Sequence, residues 1–252
     1  MSGDRAGTIR VGVGGWTYEP WRGTFYPDKW PQAKELDYAG QKLTAIEING
    51  TFYGRQKPAS FVKWRDAVPD GFVFSAKASR YCTNRKVLAE AGGSIANFVE
   101  QGIVELGDKL GPILWQLAGT KRFDAEDMAA FLKLLPAEHG GLRLRHAIEP
   151  RHESFRDPAF FAMAREAGVA VVYAEAEDYP KFDEQTADFT YARIQTAREA
   201  LPLGYTEAEL DRLADQARSW ARGGRDVFLF FIAGDKVRNP AAAQALIAGL
   251  AD

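Results

Sequence analysis

Five short apolar runs in this sequence carry polar residues on one side only. Side chains alternate along a strand, so in Ala45-Ile46-Glu47-Ile48-Asn49 the isoleucines share one face while Glu47 and Asn49 share the other. Lys77 lies opposite Phe72, Phe74 and Ala76, and Gln116 opposite Ile113, Trp115 and Leu117. Ala147, Glu149 and Arg151 fall together, as do Tyr191, Arg193 and Gln195. Burying this much charge is costly unless it is paired. One explanation is a site. Glu47, Lys77 and Glu149 would do the chemistry, Lys77 and Arg193 would hold an anion, and Asn49, Gln116 and Arg151 would orient the ligand. The other is an internal salt-bridge network that holds strand register and does no chemistry.

Two carboxylates across a mouth can act as general acid and base, as in glycoside hydrolysis, although neighbouring cations work against keeping a carboxylic acid protonated. Lys77, close to a second cation, could lose its proton and form a Schiff base. The alternative is a permanent ammonium ion paired with Glu47 or Glu149. The segment Gly234-Asp235-Lys236-Val237-Arg238-Asn239-Pro240 leads into a helix start. Lys236 and Arg238 could join Arg193 there in binding phosphate through helix N–H groups, or simply be two solvated cations on a turn. Trp16, Tyr18, Trp21, Phe25, Tyr26 and Trp30 crowd one stretch. They either stack on a sugar or an unpaired base or cap the end of a core. In the site reading, Trp16 and Tyr18 cover the pocket and Tyr53 and Tyr191 line it.

No cofactor or metal is expected. Catalytic zinc usually takes three protein ligands, and the histidines are only His139, His146 and His152, with Cys82 the single cysteine. His146 faces away from Glu149, and His152 reads as a satisfied hydrogen-bonding residue. Magnesium on Glu47, Asn49 or Glu149 would compete with the nearby lysine and arginines.

The elements that must position these groups are legible from turn signals and periodicity. Strands are predicted over 9–14, 45–49, 72–77, 112–117, 144–149, 169–173, 189–195 and 227–232. Helical patterns span 33–42, 58–68 with Pro58 near its start, and 124–135. Asp157-Pro158 opens another helix, closed near Gly168. Thr206-x-x-Glu209 is a capping box for a helix to Trp220, and Asn239-Pro240 reads as the N-cap and first turn of the last helix. The interval between Tyr173 and Phe189 has room for a loop or two helical turns, not a crossover helix. Alternating strands and helices imply parallel strands. Eight of them in one domain over 1–252 predict an α/β fold, a single (β/α)8 TIM-like barrel with an irregular connection between its sixth and seventh strands. The alternative is an open doubly wound sheet, whose glycine fingerprint is incomplete here at Gly12-x-Gly14-x-x-Thr17.

Composition narrows the classes. Of 252 residues, 46% are hydrophobic and 26% charged, which excludes wholesale disorder. With 32 Lys and Arg against 34 Asp and Glu, the net charge of −2 argues against coating duplex nucleic acid or an anionic membrane by bulk charge. The apolar runs are too short to span a bilayer and Met1 to Arg10 is polar, so a reducing cytoplasm is expected. The single cysteine excludes an intrachain disulfide.

The motifs resemble the YecE-like family, domain of unknown function 72. They are Gly14-Gly15-Trp16-Thr17-Tyr18, Trp21-Arg22-Gly23, Phe25-Tyr26-Pro27, Glu47-Ile48-Asn49-x-Thr51-Phe52-Tyr53, Trp64, and Phe74-Ser75-Ala76-Lys77-Ala78. The series continues through Leu114-Trp115-Gln116-Leu117, Glu149-Pro150-Arg151-His152, Tyr191-Ala192-Arg193 and Phe230-Phe231. The resemblance implies a (β/α)8-like barrel of unestablished activity. Where that family usually has Thr-His this chain has Thr83-Asn84. Gln195 replaces a frequent histidine, and Gln116-Leu117-Ala118-Gly119 replaces Gln-Leu-Pro-Pro. A mechanism built on those histidines is not expected here. The resulting expectation is a barrel enzyme or binding protein for a small anionic (phosphate-bearing) or polyhydroxy ligand. If it is an enzyme, a hydrolase or lyase using Glu/Lys acid–base chemistry fits. Two other readings stand beside it: a binder or processor of single-stranded or damaged nucleic acid, and a non-catalytic barrel.

Overall fold

The structure is a computed structural model that describes residues 6–234 and 236–251. Its strands are β1 (Ile9–Gly14), β2 (Ala45–Ile48), β3 (Val73–Lys77), β4 (Leu110–Gln116), β5 (Glu138–His139), β6 (Leu142–Arg143), β7 (His146–Glu149), β8 (Ala170–Val171), β9 (Tyr173–Glu175), β10 (Phe189–Ile194) and β11 (Asp226–Phe231). Nine of them form one sheet in the order β8-β7-β4-β3-β2-β1-β11-β10-β9, and every pairing in it is parallel. The two ends of that order, β8 and β9, are separated in the chain by Val172 alone. They are halves of one bent strand, so the sheet returns on itself as an eight-stranded barrel. A doubly wound sheet is excluded by this closure.

Helices α1 (Glu35–Lys42), α2 (Gly50–Tyr53), α3 (Pro58–Asp66), α4 (Arg80–Thr83), α5 (Gly92–Val99), α6 (Ala125–Leu134), α7 (Pro158–Glu166), α8 (Glu207–Trp220) and α9 (Asn239–Ala251) follow in the links. Local chemistry sets their ends. Asp124 and Asp157 accept from the backbone N–H groups of Asp127 and Ala159. The capping box of Thr206 and Glu209 is complete in both directions. Asn239 departs from its expected role. Its side chain accepts from the N–H of Ala233 and donates to the Ala233 carbonyl, so it clamps the segment that leaves β11.

Two connections have local causes. As expected, no crossover helix forms between β9 and β10. The Thr186 hydroxyl there accepts from the Val171 N–H and donates to the Val169 carbonyl, and Phe182 is buried against Phe161. Between α6 and β7 a small hairpin joins β5 to β6 around Gly140 and Gly141, both at positive φ (56° and 79°), which glycine adopts without strain. Helix α5 also escapes the sequence pattern, because it opens on two glycines and carries Ser94 and Asn97.

Apolar residues fall into two sets. One fills the layer between strands and helices. The other, including Ala45, Val73, Leu114, Ala147, Val172, Phe189, Phe228 and Phe230, fills the barrel itself. At the N-terminal ends of the strands, Arg10 and Arg145 lie over the Phe228 ring at 5.7 and 4.7 Å and pair with Asp226. Cys82 is fully buried, and burial pushes its thiol up to about 12. No helix among the described residues is long and apolar enough to cross a membrane.

Gly12 faces this interior, where a β-carbon would lie 1.8 Å from the Ala45 carbonyl oxygen. Gly12→Ala is therefore expected to cost at least ~3 kcal/mol, the upper end of overpacking penalties, read as a lowered urea midpoint.

Candidate functional site

Strand parity brings Glu47, Ser75, Lys77, Gln116, Glu149, Tyr191 and Arg193 to the C-terminal half of the barrel interior. Pairing register aligns them. Glu47 lies beside Ser75 across β2 and β3, and Gln116 beside Glu149 across β4 and β7. Arg193 reaches across from β10. Its Nε and one Nη donate to the two oxygens of Glu47 at 3.0 and 3.1 Å, and the other Nη donates to Glu149 at 2.7 Å. Glu149 also accepts from Gln116 Nε2 and from Arg151 Nε, both at 2.9 Å. The Tyr191 hydroxyl donates to Glu47 at 2.8 Å and lies 2.7 Å from the Ser75 hydroxyl.

Glu47 and Glu149 are both fully buried, and Arg193 is 2% exposed. Burial alone would raise the Glu149 pKa, but Arg193 and Arg151 outweigh it and hold the carboxyl below its ordinary value. For Arg193, burial opposes the charge and the two glutamates overcome it, so it stays a cation. Every carboxylate oxygen is already accepting a hydrogen bond. In this arrangement Glu47 and Glu149 are paired with the arginines, and Arg193 directs its Nε and both Nη groups at them, a pairing that alternation along a strand does not reveal.

Lys77 is different. It is 7% exposed and has no ion-pair partner among the described residues, contrary to the expected pairing with Glu47 or Glu149. Its Nζ lies 4.1 Å from the centre of the Phe52 ring. Burial, reinforced by the Arg193 charge, lowers its pKa to about 8. Arg151 lies partly open, its guanidinium 4.2 Å over the Tyr179 ring. Phe52, Ser75 and Tyr179 were not among the expected site residues. Ser75 had a signal in its parity with Lys77, Phe52 only in the motif that runs from Glu47 to Tyr53, and Tyr179 had none.

Beside the network, a cleft of about 310 Å³ gathers Trp16, Tyr18, Asn49 and Tyr53 with Gly15, Gln56 and Trp64. Trp16 packs edge-on against Trp64 (5.2 Å) and Phe74 (6.4 Å), so it covers core and cleft together. Tyr53 is 67% exposed and stands on the rim of this cleft. Lys236 lies 4.3 Å over the Tyr18 ring, and its carbonyl accepts from the buried Trp21 indole. Arg238 turns away and donates to the Glu199 carbonyl at 3.0 Å. Arg193, Lys236 and Arg238 thus have different partners, the glutamates, the Tyr18 ring and the Glu199 carbonyl, and Asp235 lies outside the described residues. Two of the three histidines are engaged elsewhere. His146 accepts from the Trp115 indole through Nδ1 and therefore donates from Nε2 to the Pro136 carbonyl. His152 Nδ1 accepts from the Ser154 N–H.

Removing Arg193 leaves two buried carboxylates without their shared cation. Arg193→Met is expected to cost about 3–5 kcal/mol in urea unfolding, with part recovered on adding Glu47→Gln and Glu149→Gln. A loss the glutamines do not reduce would place the cost elsewhere.

Comparison with known proteins agrees with this architecture. A DUF72 family protein of Thermotoga maritima superposes with a TM-score of 0.78 at 23% identity, covering 97% of this chain and 100% of that one. One from Enterococcus faecalis gives 0.75 at 19%, covering 97% and 96%. The 3-keto-D-glucoside 4-epimerase YcjR of Escherichia coli gives 0.56 at 13%, covering 97% and 99%. At these identities the likeness is one of fold. No curated protein matches the chain. The family model described as "Protein of unknown function DUF72" matches residues 10–252. From first strand to last helix, this chain belongs to the DUF72 family.

Proposed function

We propose that the protein binds a small anionic, phosphate-bearing or polyhydroxy ligand at the C-terminal mouth of the barrel, with Lys77 as the contacting amine. The observation that supports this is the unequal division of charge there. Three cations (Lys77, Arg151, Arg193) face two carboxylates (Glu47, Glu149), and both carboxylates are taken by the arginines. Lys77 is the charge left over, held on an aromatic face. Asn49, Tyr18 and Tyr53 in the adjoining cleft supply polar edges for hydroxyl groups.

An amine with a pKa of about 8 also has a substantial neutral fraction under mildly alkaline conditions. With a carbonyl-bearing ligand it could add to the carbonyl carbon and lose water to form an imine. Borohydride would reduce that imine to a stable secondary amine on Lys77, detectable by mass spectrometry.

Melting of the purified protein against phosphate, sulfate, sugar phosphates and plain sugars tests the binding reading. A ligand at about 100 times its Kd adds roughly 2.7 kcal/mol. A rise in Tm with an anionic or polyhydroxy compound, lost in Lys77→Met, is expected. No shift across the panel would leave only the internal network.

Lys77 carries its own pH signature. Its folded pKa lies below its ordinary value, so the unfolded chain holds more protons between about pH 8 and the ordinary lysine range of about 10.4. Stability from this group therefore rises with pH across that window. Lys77→Met should be more stable than the parent at pH 7, by roughly 1–3 kcal/mol, and the gap should narrow towards pH 10.5.

A further inference from the structure

Three large apolar side chains are exposed among the described residues, Tyr53 (67%), Tyr81 (63%) and Val87 (39%). All three lie in the segments that follow β2 and β3, at the C-terminal end of the barrel. Exposed cations alternate with them in the chain: Arg55 after Tyr53, Arg80 before Tyr81, and Lys86 before Val87. The Arg80 guanidinium lies 5.4 Å from the Tyr81 ring centre.

Two clefts run through this region and share Arg85 as a wall. One, of about 300 Å³, is lined by Arg55, Tyr81, Arg85, Ser94 and Asn97 among others. The other, of about 670 Å³, is lined by Asn84, Arg85, Lys86, Thr120, Lys121 and Arg122, with Ala118. Neither has an aspartate or glutamate in its lining. The Arg85 Nε is buried without a hydrogen-bond partner.

The two loops that carry these cations are tied to one carboxylate. Asp127 on α6 accepts from the N–H groups of Leu88 and Ala89 at 3.0 and 2.8 Å, and from Lys121 Nζ at 2.6 Å. Lys121 is thereby neutralised and serves as an anchor. Arg85, Lys86 and Arg122 have no ion pair with a described carboxylate.

We propose that this surface is a track for a single nucleic-acid strand, with Arg85, Lys86 and Arg122 on its phosphates and Tyr81 and Tyr53 stacked on its bases. The combination of a carboxylate-free cationic groove with outward aromatic rings is what unpaired bases on a polyanionic backbone require. A free phosphate compound would use the cations and leave both rings idle. An acidic peptide would likewise gain nothing from base stacking. The track does not use Lys77; Tyr53 borders both it and the cleft beside Lys77, so its test reads Tyr81, Lys86 and Arg122, which lie outside that cleft.

Fluorescence anisotropy of a short fluorescein-labelled oligothymidine with the full chain tests this. Binding at low ionic strength is expected, weakening with a log–log salt slope of about −0.7 per phosphate neutralised. Arg122→Ala and Lys86→Ala should each make that slope shallower. Tyr81→Ala should weaken binding about 10-fold with the slope unchanged. These positions are exposed, and an unchanged melting curve for each variant confirms that the fold is intact. No binding at low salt would overturn the proposal. So would binding indifferent to Tyr81→Ala, or equal competition by polyglutamate.

Discussion

A single guanidinium shared by two buried carboxylates organises the barrel. Arg193 draws Glu47 from β2 and Glu149 from β7 to one point on the axis, and each of those strands is paired to its neighbours in a register that brings the charges within reach. Shifting any of the three strands by one residue would send its charge into the apolar layer under the helices. The cost of stranding an ion there is far larger than that of misplacing a leucine. The network therefore specifies alignment as much as it adds stability.

That arrangement divides the C-terminal end of the barrel into fixed and available groups. Glu47, Glu149, Gln116, Tyr191 and Arg193 bond to one another. Lys77 is excluded from the exchange by geometry, and its charge is uncompensated in a place where water is scarce. The aromatic rings around it act similarly: Phe52 under Lys77, Tyr179 under Arg151 and Tyr18 under Lys236 each present a π face to a cation. Lys77 and Lys236 are thus held at the mouth by weak, exchangeable contacts, while Arg151 adds an ion pair to Glu149 to its ring contact, above a floor of strong ones.

Much of this was legible in the residues. Alternation alone placed Glu47, Lys77, Glu149 and Arg193 on the inner face, because a strand has only two faces and the apolar partners claim one. The Thr206–Glu209 box and the Asp124 and Asp157 caps were visible because they are local chemistry. What could not be read was distance across the barrel. Whether Lys77 or Arg193 captures the glutamates depends on reach from opposite walls, a quantity with no one-dimensional trace. Asn239 illustrates the same limit. Its type suited a cap, but bonds to Ala233, six residues away just past the end of β11, claimed the side chain. Thr186 substitutes for missing strand partners in a way that resembles an ordinary loop threonine until the fold is seen.

The order in which these partners appear along the chain has a consequence for time. Glu47 and Arg193 are 146 residues apart, and β1 completes its pairing with β11, from Ile9↔Val227 to Val13↔Phe231. A ribosome adds about 5–20 residues per second, so Glu47 waits on the order of ten seconds for its cation to be made. The seam between first and last strands cannot close until later still. During that interval the inner face of β1 to β4 lacks the arginine that Glu47 is paired with in the finished barrel, and an unpaired carboxylate is costly to bury. Closure of the β1–β11 seam is therefore expected to come late, with drying of the interior and formation of these ion pairs.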